Sequence, residues 1–272
     1  MIQLKSDTEV ECMRIAGLVV AGALAAVRAA VAPGVTTGEL DRVAEAHIRE
    51  HGATPSFLGY HGFPATICAS VNAEVVHGIP SPERRLTEGD IVSVDCGAIV
   101  DGYHGDAAIT APVGAIAPEL GELLRVTELS LWAGLAAARR GGRLSDISHA
   151  VEKSLRGHQH RYGIVRNYGG HGIGTEMHQE PHVLNYGRAG HGPKLVRGMA
   201  LAIEPMVTLG GYDCEELADG WTVVTADGSA AAHFEHTVAV TEVGPWVLTA
   251  EDGGAARLAE FGVTVPARGA HG

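Results

Sequence analysis

Apolar residues recur every three to four positions through the N-terminal part of the chain. Residues 7–31 form an alanine-rich run of this kind, and the Pro-Gly pair at 33–34 ends it because proline cannot continue a helix. A second run starts at Thr36, where Thr36 and Glu39 have the spacing of a capping box, and it ends at Gly52. The pattern therefore predicts two helices in succession.

The same order of helices recurs later in the chain. A long apolar-periodic run begins near Pro118 and ends at the glycine pair 141–142, and a shorter run, with Ser145 as its expected N-cap, continues to about His160. Thr37 in the first pair and Ser145 in the second are 108 positions apart. The second half of the chain is therefore predicted to begin with a helix pair like the first.

Each helix pair is followed by an apolar strand that ends in a carboxylate. The first strand ends in Asp95 and the second in Glu204, 109 positions later, and a leucine and a glycine stand at equivalent places before each strand. Two helices and a strand at nearly one displacement indicate an internal duplication, although α+β chains can also repeat helix pairs by chance. A two-fold pseudo-repeat would let Asp95 and Glu204 face each other about a central axis.

The domain organisation follows from this repeat. No low-complexity linker separates the two halves, so we expect one domain over residues 1–248, with pseudo-halves at about 1–115 and 116–248. A chain of 272 residues is long enough to bury a large core. The remaining residues, 249–272, are rich in glycine and alanine, and we expect this segment to fray.

Residues 91–111 have the pattern of a β-hairpin whose turn is the Asp-Gly pair at 101–102. With that turn, Asp106 lies opposite Gly97. Asp95 is two residues from Gly97 and therefore points to the same face as Asp106, as its diagonal neighbour within side-chain reach. The hairpin thus brings two carboxylates together on a strand pair that is otherwise apolar.

Two carboxylates on one buried face repel each other unless something compensates them. Protonation, an arginine or a cation could do so, and no arginine occurs between positions 86 and 124. A bound cation is therefore favoured, with an arginine from a distant part of the chain or solvated surface acids as the alternatives.

Two further acids, Glu204 and Glu235, also lie in apolar strands. Among fifteen histidines, His77 and His171 stand out because glycines beside them let the backbone approach a ligand closely. Each alone is more typical of a hydrogen-bonded structural histidine. Four acids with one imidazole suit a pair of divalent ions such as Mn, Fe, Co or Zn rather than a closed structural zinc site. The spacing of His233 and Glu235 does not fit the helical HExxH zinc motif.

Composition excludes several classes of partner. The formal net charge of −12 disfavours a non-specific grip on nucleic acid or on an anionic membrane. The four cysteines show no CxxC pair, which suits a reducing cytoplasm. Only 13 uncharged residues lie between Arg14 and Arg28, too few to span a bilayer, and the acidic N-terminus is unlike a secretion signal.

Six segments resemble, in order and spacing, the motif series of type I methionine aminopeptidases, and the similarity extends from about residue 3 to 248. They are Val76-His77-Gly78-Ile79-Pro80, Ser93-Val94-Asp95, Gly102-Tyr103-His104-Gly105-Asp106, Gly170-His171-Gly172-Ile173-Gly174, Ile203-Glu204-Pro205-Met206 and Phe234-Glu235-His236-Thr237. The resemblance implies the pita-bread fold, a pseudo-two-fold α/β (α+β) domain with an antiparallel sheet covered by helices.

The resemblance also implies a dinuclear site for two divalent ions (Co, Mn, Fe or Zn). Asp95 would bind one ion, His171 and Glu204 the other, and Asp106 and Glu235 would bridge them. The ions would activate a bridging water as hydroxide, with Glu204 as the proton carrier.

His77 and His178 would contact the substrate and stabilise the oxyanion. By the same analogy the methionine pocket would be lined by Tyr60, Phe63, Cys68 and Trp221, with Phe57 at its edge. Met177 stands where the family usually has an aromatic residue, and Phe63 where a tyrosine is common. We therefore expect the shape of the pocket to differ from the family's while the chemistry is retained.

The implied function is removal of the first methionine from nascent polypeptides when the second residue is small. A cytoplasmic monomer with transient ribosome contact, and with neither a specific nucleic acid nor a membrane as partner, is the expectation. One alternative is an Xaa-Pro-specific peptidase of the same fold, but such enzymes carry an additional N-terminal domain, which we do not expect before residue 7. The other is a metal-free pita-bread binding module, which would have lost ligand residues, whereas this chain keeps all five.

Overall fold

The computed structural model describes residues 1–266. Within them the helices are α1 (Asp7–Ala30), α2 (Thr37–Glu50), α3 (Pro118–Ala137), α4 (Leu144–Arg156) and α5 (Ala255–Ala259). The strands are β1 (Thr54–Pro55), β2 (Ile67–Val71), β3 (Glu74–Val76), β4 (Ile91–Val100), β5 (Tyr103–Pro112), β6 (Gly163–Ile164), β7 (Gly170–Gly172), β8 (Gln179–Val183), β9 (Ala200–Ile203), β10 (Met206–Thr208), β11 (Cys214–Glu216), β12 (Val223–Thr225), β13 (Ala231–His233), β14 (Glu235–Val240) and β15 (Pro245–Val247).

The start of α2 is formed by the capping box that the sequence predicts. The Glu39 backbone N–H donates to Thr36 Oγ1 at 3.1 Å, and the Thr36 N–H donates to the Glu39 carboxylate at 2.7 Å. Both halves of the predicted capping box are thus present, and they satisfy two N–H groups that the helix itself leaves unpaired.

The start of α4 corrects the expectation that Ser145 caps this helix. The N-cap is Arg143, whose backbone N–H donates to the Asp146 carboxylate at 2.7 Å. A carboxylate three residues along competes well for this position because its charge interacts favourably with the helix N-terminus. The Ser145 hydroxyl instead accepts from the His191 N–H at 2.7 Å, and the helix ends at Arg156, one turn before the predicted end.

The main sheet is antiparallel and has the strand order β1-β4-β5-β14-β9-β7-β8, with β2 paired to β4 and β15 paired to β14. The β4–β5 hairpin has the predicted register: Asp106 lies opposite Gly97, and the turn falls at residues 101–102. Two three-stranded sheets, β13-β10-β6 and β11-β12-β3, complete the strand arrangement of the described residues. The prediction of a mixed α/β fold with an antiparallel sheet covered by helices is confirmed.

Each half of the main sheet has its own hydrophobic core. Helices α1 and α2 bury residues such as Val20 and Leu40 against β2, β4 and β5. Helices α3 and α4 bury Leu135 and Ile147 against a second cluster that contains Leu201 of β9. The two helix pairs therefore cover the sheet in the arrangement that the 109-residue displacement predicted.

Helix α1 has the length and hydropathy of a membrane span, but it is a core helix in this fold. Ten of its residues, from Val10 to Val27, are buried, and it packs on β4 and β5. Its backbone comes very close to the sheet at Gly105, where an added Cβ would lie 2.6 Å from the Gly17 nitrogen. Glycine at both positions permits this approach.

The segment after residue 248 contradicts the expectation of a frayed tail. Leu258 of α5 is fully buried and Val263 nearly so, and both belong to the core of the second half. The buried Arg14 guanidinium donates to the carbonyls of Leu248, Ala250 and Glu251 at 2.6–2.8 Å. The segment is thus held against the rest of the fold by two buried apolar side chains and by the hydrogen bonds of Arg14. Residues 267–272 lie outside the described part of the chain.

We predict that Gly17→Ala destabilises the protein, because the new methyl group would overlap the Leu248 carbonyl. Overpacking of this kind costs about 1–3 kcal/mol, so thermal unfolding followed by circular dichroism should begin several degrees lower.

The matched control is Gly121→Ala in α3, where an added Cβ meets nothing within 4 Å. There the helix propensity of alanine should stabilise by up to about 1 kcal/mol. Equal or higher stability of Gly17→Ala would contradict the close packing of α1 on the sheet.

Candidate metal centre

Five consecutive strands of the main sheet each bring one of the predicted ligands to the same place. In sheet order β4-β5-β14-β9-β7 these are Asp95, Asp106, Glu235, Glu204 directly after β9, and His171. Because neighbouring strands are hydrogen-bonded, residues far apart in the sequence become neighbours across the sheet. The fold therefore assembles all five predicted ligands.

The ligand atoms lie close enough together to share ions. One nitrogen or oxygen from each of Asp106, His171 and Glu235 falls within 4.8 Å of the others, and the same holds for Glu204, His233 and Glu235. Glu235 belongs to both sets. Asp95 lies outside these two sets but lines the same cavity.

Burial makes this concentration of carboxylates costly. Desolvation raises the pKa of Asp95 to about 7 and the pKa of Glu204 to about 8. Burial and the neighbouring charges raise the pKa of Asp106 and Glu235 well above their ordinary values. A carboxyl whose charged form is so disfavoured is stabilised as an anion only by a cation or by good hydrogen-bond donors.

Three carboxylate oxygens of the centre have no hydrogen-bond donor among the described residues. Oδ1 of Asp95, Oδ1 of Asp106 and Oε1 of Glu235 are buried without a hydrogen-bond partner, and no lysine or arginine in residues 1–266 forms an ion pair with them. Carboxylate oxygens left without donors in this way fit divalent cations, which accept such ligands at close range. The residues present therefore suit a divalent metal centre.

His171 is oriented to present its Nε2 atom. Its Nδ1 lies 3.0 Å from the Gly172 carbonyl, so Nδ1 carries the proton and Nε2 keeps its lone pair. That Nε2 lies 3.6 Å from Oε1 of Glu204. Burial lowers the pKa of His171 to about 3, which keeps the ring neutral, the form that binds metals.

The strand pair that carries Asp106 and Glu235 is held in register by Thr237. Its Oγ1 accepts from the Asp106 N–H at 3.1 Å and donates to the Asp106 carbonyl at 2.8 Å. Since Asp106 and Thr237 lie on adjacent strands, this double contact fixes the spacing of the two acids.

A cavity of about 430 Å³ opens beside the ligands. One wall carries the acids and His171, and the other is largely apolar. All six residues predicted for the substrate pocket line it: Phe57, Tyr60, Phe63, Cys68, Met177 and Trp221. Most of these side chains are buried, and the rings of Phe63 and Trp221 meet edge to face with centroids 5.1 Å apart. The cavity thus joins a charged end to an apolar one.

His77 and His178 line the same cavity. Tyr60 Oη lies 2.8 Å from Nδ1 of His178. The His178 ring meets the His171 ring edge to face, with centroids 4.4 Å apart. His77 has a φ of +61°, a conformation that non-glycine residues rarely adopt and that is concentrated at functional sites. Burial lowers its pKa to about 4, which keeps it neutral.

The structure also brings in His233, which the sequence reasoning set aside. The apolar strand predicted around Glu235 is split at Phe234: β13 pairs with β10, whereas β14 pairs with β5 and β9. His233 and Glu235 nevertheless both face the centre, with His233 Nε2 3.9 Å from Glu235. Their separation of two residues, the strand period, was the signal available in the sequence.

Comparison with known proteins shows the family. The model of metallopeptidase family M24 matches residues 11–242. The chain is 55% identical over 249 residues to a methionine aminopeptidase of Clostridium acetobutylicum, with 92% of this chain and 99% of that protein covered. It is 56% identical over 253 residues to methionine aminopeptidase 1 of Mycobacterium tuberculosis, with 92% and 95% covered.

A solved structure is similar as well. The crystal structure of a methionine aminopeptidase from Thermotoga maritima superposes with a TM-score of 0.90 at 43% identity, covering 92% of this chain and all of that one. The fold is therefore shared over nearly the whole length.

We predict that Asp106→Asn raises the melting temperature of the metal-free protein, because it removes one of the mutually repelling buried carboxyls. The same change should abolish the stabilisation that Co²⁺ or Mn²⁺ gives the unchanged protein, since ions that bind only the folded state stabilise it. Thermal melts with EDTA and with each ion measure both effects.

Asp101→Asn, in the exposed hairpin turn, is the matched control and should keep the full metal-dependent shift. An Asp106→Asn protein that still gains stability from the ions would contradict the assignment of Asp106 to the centre.

Proposed function

The chain belongs to metallopeptidase family M24 and has the methionine aminopeptidase function of its relatives, and we propose that it removes N-terminal methionine with two divalent ions held at the centre described above. The observation that carries the proposal is the convergence of five ligand side chains from five consecutive strands, with three buried oxygens left unpaired. The candidate ions are Co, Mn, Fe and Zn, all of which accept mixed carboxylate and imidazole ligands.

The proposed division of ligands follows the positions on the sheet. Asp95, on β4 at one end of the five ligand-bearing strands, binds one ion, and His171 on β7 with Glu204 directly after β9 binds the other. Asp106 and Glu235 lie on the strands between and are shared by both ions. The membership of Glu235 in both close sets of ligand atoms supports this sharing.

Bound at this site, the ions would supply a Lewis acid for the scissile carbonyl and lower the pKa of water near neutrality. Glu204 is placed to move the proton, because it lines the cavity and its side chain remains 13% exposed on that side. It accepts a proton from the attacking water and donates it to the leaving amine.

His178 and His77 are proposed to hold the substrate peptide and to stabilise the negative charge on its carbonyl oxygen. Tyr60 occupies Nδ1 of His178, which leaves Nε2 of that ring for the substrate. His77 is neutral and therefore has one N–H to donate.

The apolar end of the cavity suits the methionine side chain. Aromatic rings contact thioether sulfur favourably, and the pocket offers Phe57, Phe63 and Trp221. Met177 is buried in its wall and is itself flexible, so it lets the pocket adapt to inhibitors of different shape. The restriction to a small second residue is proposed from the resemblance alone.

The setting proposed for the enzyme is a monomer in the cytoplasm, acting on nascent polypeptide N-termini with transient contact to the ribosome. Four unbridged cysteines suit a reducing compartment. The charge of −12 argues against nucleic acid and membranes as partners.

The two alternative functions are less well supported. A metal-free binding module would have no use for five converging ligands, and all five are present. An Xaa-Pro-specific peptidase is disfavoured because the relatives that match almost end to end at 55% and 56% identity are methionine aminopeptidases.

We predict that the purified protein supplied with Co²⁺ or Mn²⁺ cleaves Met-Ala-Ser, but neither Met-Leu-Ser nor an Xaa-Pro peptide, at rates measurable by release of the free amino acid. Glu204→Gln should lower kcat by at least about a hundredfold, because general acid–base catalysis typically contributes that much.

Glu215→Gln, on the exposed strand β11, is the control and should leave kcat unchanged. Metal-loaded protein that is inert on Met-Ala-Ser would refute the proposal, and cleavage of the Xaa-Pro peptide in its place would establish the alternative enzyme.

A further inference from the structure

His233 is a second imidazole at the centre, and neither the family motifs nor the ligand assignment above gives it a role. Its side chain is 1% exposed, and its Nε2 lies 3.5 Å from Oε2 of Glu204 and 3.9 Å from Oε2 of Glu235. Nε2 has no hydrogen-bond partner in the described residues. It therefore joins the oxygens of Asp95, Asp106 and Glu235 as a buried, unpaired atom at this site.

The Glu204 carboxylate lies between two imidazoles that it meets at the same distance. Oε1 is 3.6 Å from Nε2 of His171, and Oε2 is 3.5 Å from Nε2 of His233. Both separations exceed the usual N–H···O distance of about 2.7–3.2 Å. Two ligand atoms that bind the same tetrahedral ion, each at about 2.1 Å, lie about 3.4 Å from each other. The geometry that marks His171 as a ligand thus applies equally to His233.

The backbone around His233 fixes its direction. Its N–H donates to Thr110 Oγ1 at 2.9 Å, and Thr110 Oγ1 donates to its carbonyl at 2.8 Å. On its other side His233 pairs with Met206 of β10. The residue is therefore held between two strands, and its ring reaches the centre without the freedom of a loop residue.

We propose that His233 is a further metal ligand, which gives its Nε2 to the ion bound by Glu204 and Glu235. This inference rests on the proposed function, because it needs a divalent ion at the centre. A second imidazole makes the donor set richer in nitrogen than four carboxylates with one histidine. Imidazole suits Zn, Fe and the neighbouring ions better than Mn, so the chain should prefer Co²⁺ or Zn²⁺ to Mn²⁺.

The rival role for His233 is that of a positioning residue, with a protonated Nε2 that donates to Glu204 and makes no bond to metal. Loss of a metal ligand weakens metal binding. Loss of a residue that hydrogen-bonds to a ligand does so as well, because such a mutation typically lowers metal affinity by about 10–100-fold. Affinity alone therefore does not separate the two roles, whereas counting the coordinated imidazoles does.

The test is proton NMR of the full chain loaded with Co²⁺ alone. A histidine bound to Co²⁺ through Nε2 shows a strongly shifted, solvent-exchangeable signal from its Nδ1–H. We expect two such signals from the unchanged protein. His233→Gln should remove one and His171→Gln the other, while His182→Gln, at an exposed histidine outside both close sets, should keep both. His233→Gln should also bind one Co²⁺ at least about tenfold more weakly.

One shifted signal from the unchanged protein, lost only in His171→Gln, would overturn the proposal and leave the metal centre itself intact. The count in the unchanged protein, assigned with ¹⁵N-labelled histidine, decides the matter even where His233→Gln fails to fold. A protein that binds no Co²⁺ would refute the proposed function, and this inference with it.

Discussion

Four carboxylates held together in one largely buried place are the constraint on which the rest of this structure depends. Burial alone raises the pKa of Glu204 to about 8, and burial together with the neighbouring charges raises the pKa of Asp106 well above its ordinary value. Leaving such groups unpaired is among the more costly things a fold can do. Divalent ions bound there would offset this cost, because each ion attracts the carboxylates that otherwise repel one another. The fold is in this respect preorganised for metal at the expense of its own stability.

The two-fold plan of the chain is what makes this concentration possible. Each half supplies a helix pair as cover and a strand that carries an acid, Asp95 within β4 and Glu204 directly after β9, and the strands of both halves join in one sheet. Since the ligands come from five adjacent strands, no single loop movement can disperse them. In the proposed function, the apolar wall with Phe63 and Met177 adds selectivity to a centre that could serve many hydrolytic reactions.

How much of this the sequence could predict depends on the range of the interactions involved. The register of the β4–β5 hairpin was predictable, because a two-residue turn and the period of a strand place Asp106 opposite Gly97. The pairing of β14 with β9 was not predictable, because local sequence patterns do not determine which distant strands pair. The resemblance, rather than periodicity, supplied the individual ligand roles. Two predictions were wrong, the Ser145 cap of α4 and the frayed segment after residue 248. The Asp146 carboxylate accepts from the backbone at the start of α4, and two buried side chains hold the segment after residue 248 against the core. His233 was missed because it was compared with a helical motif, although it lies in a strand.

In the proposed function this sheet holds two divalent ions between β4 and β7. The most direct measurement is anomalous diffraction at the cobalt edge from crystals grown with Co²⁺. We expect two peaks in the cavity, both adjacent to Asp106 and Glu235. The absence of peaks there, or a single peak at full occupancy with excess Co²⁺, would contradict it.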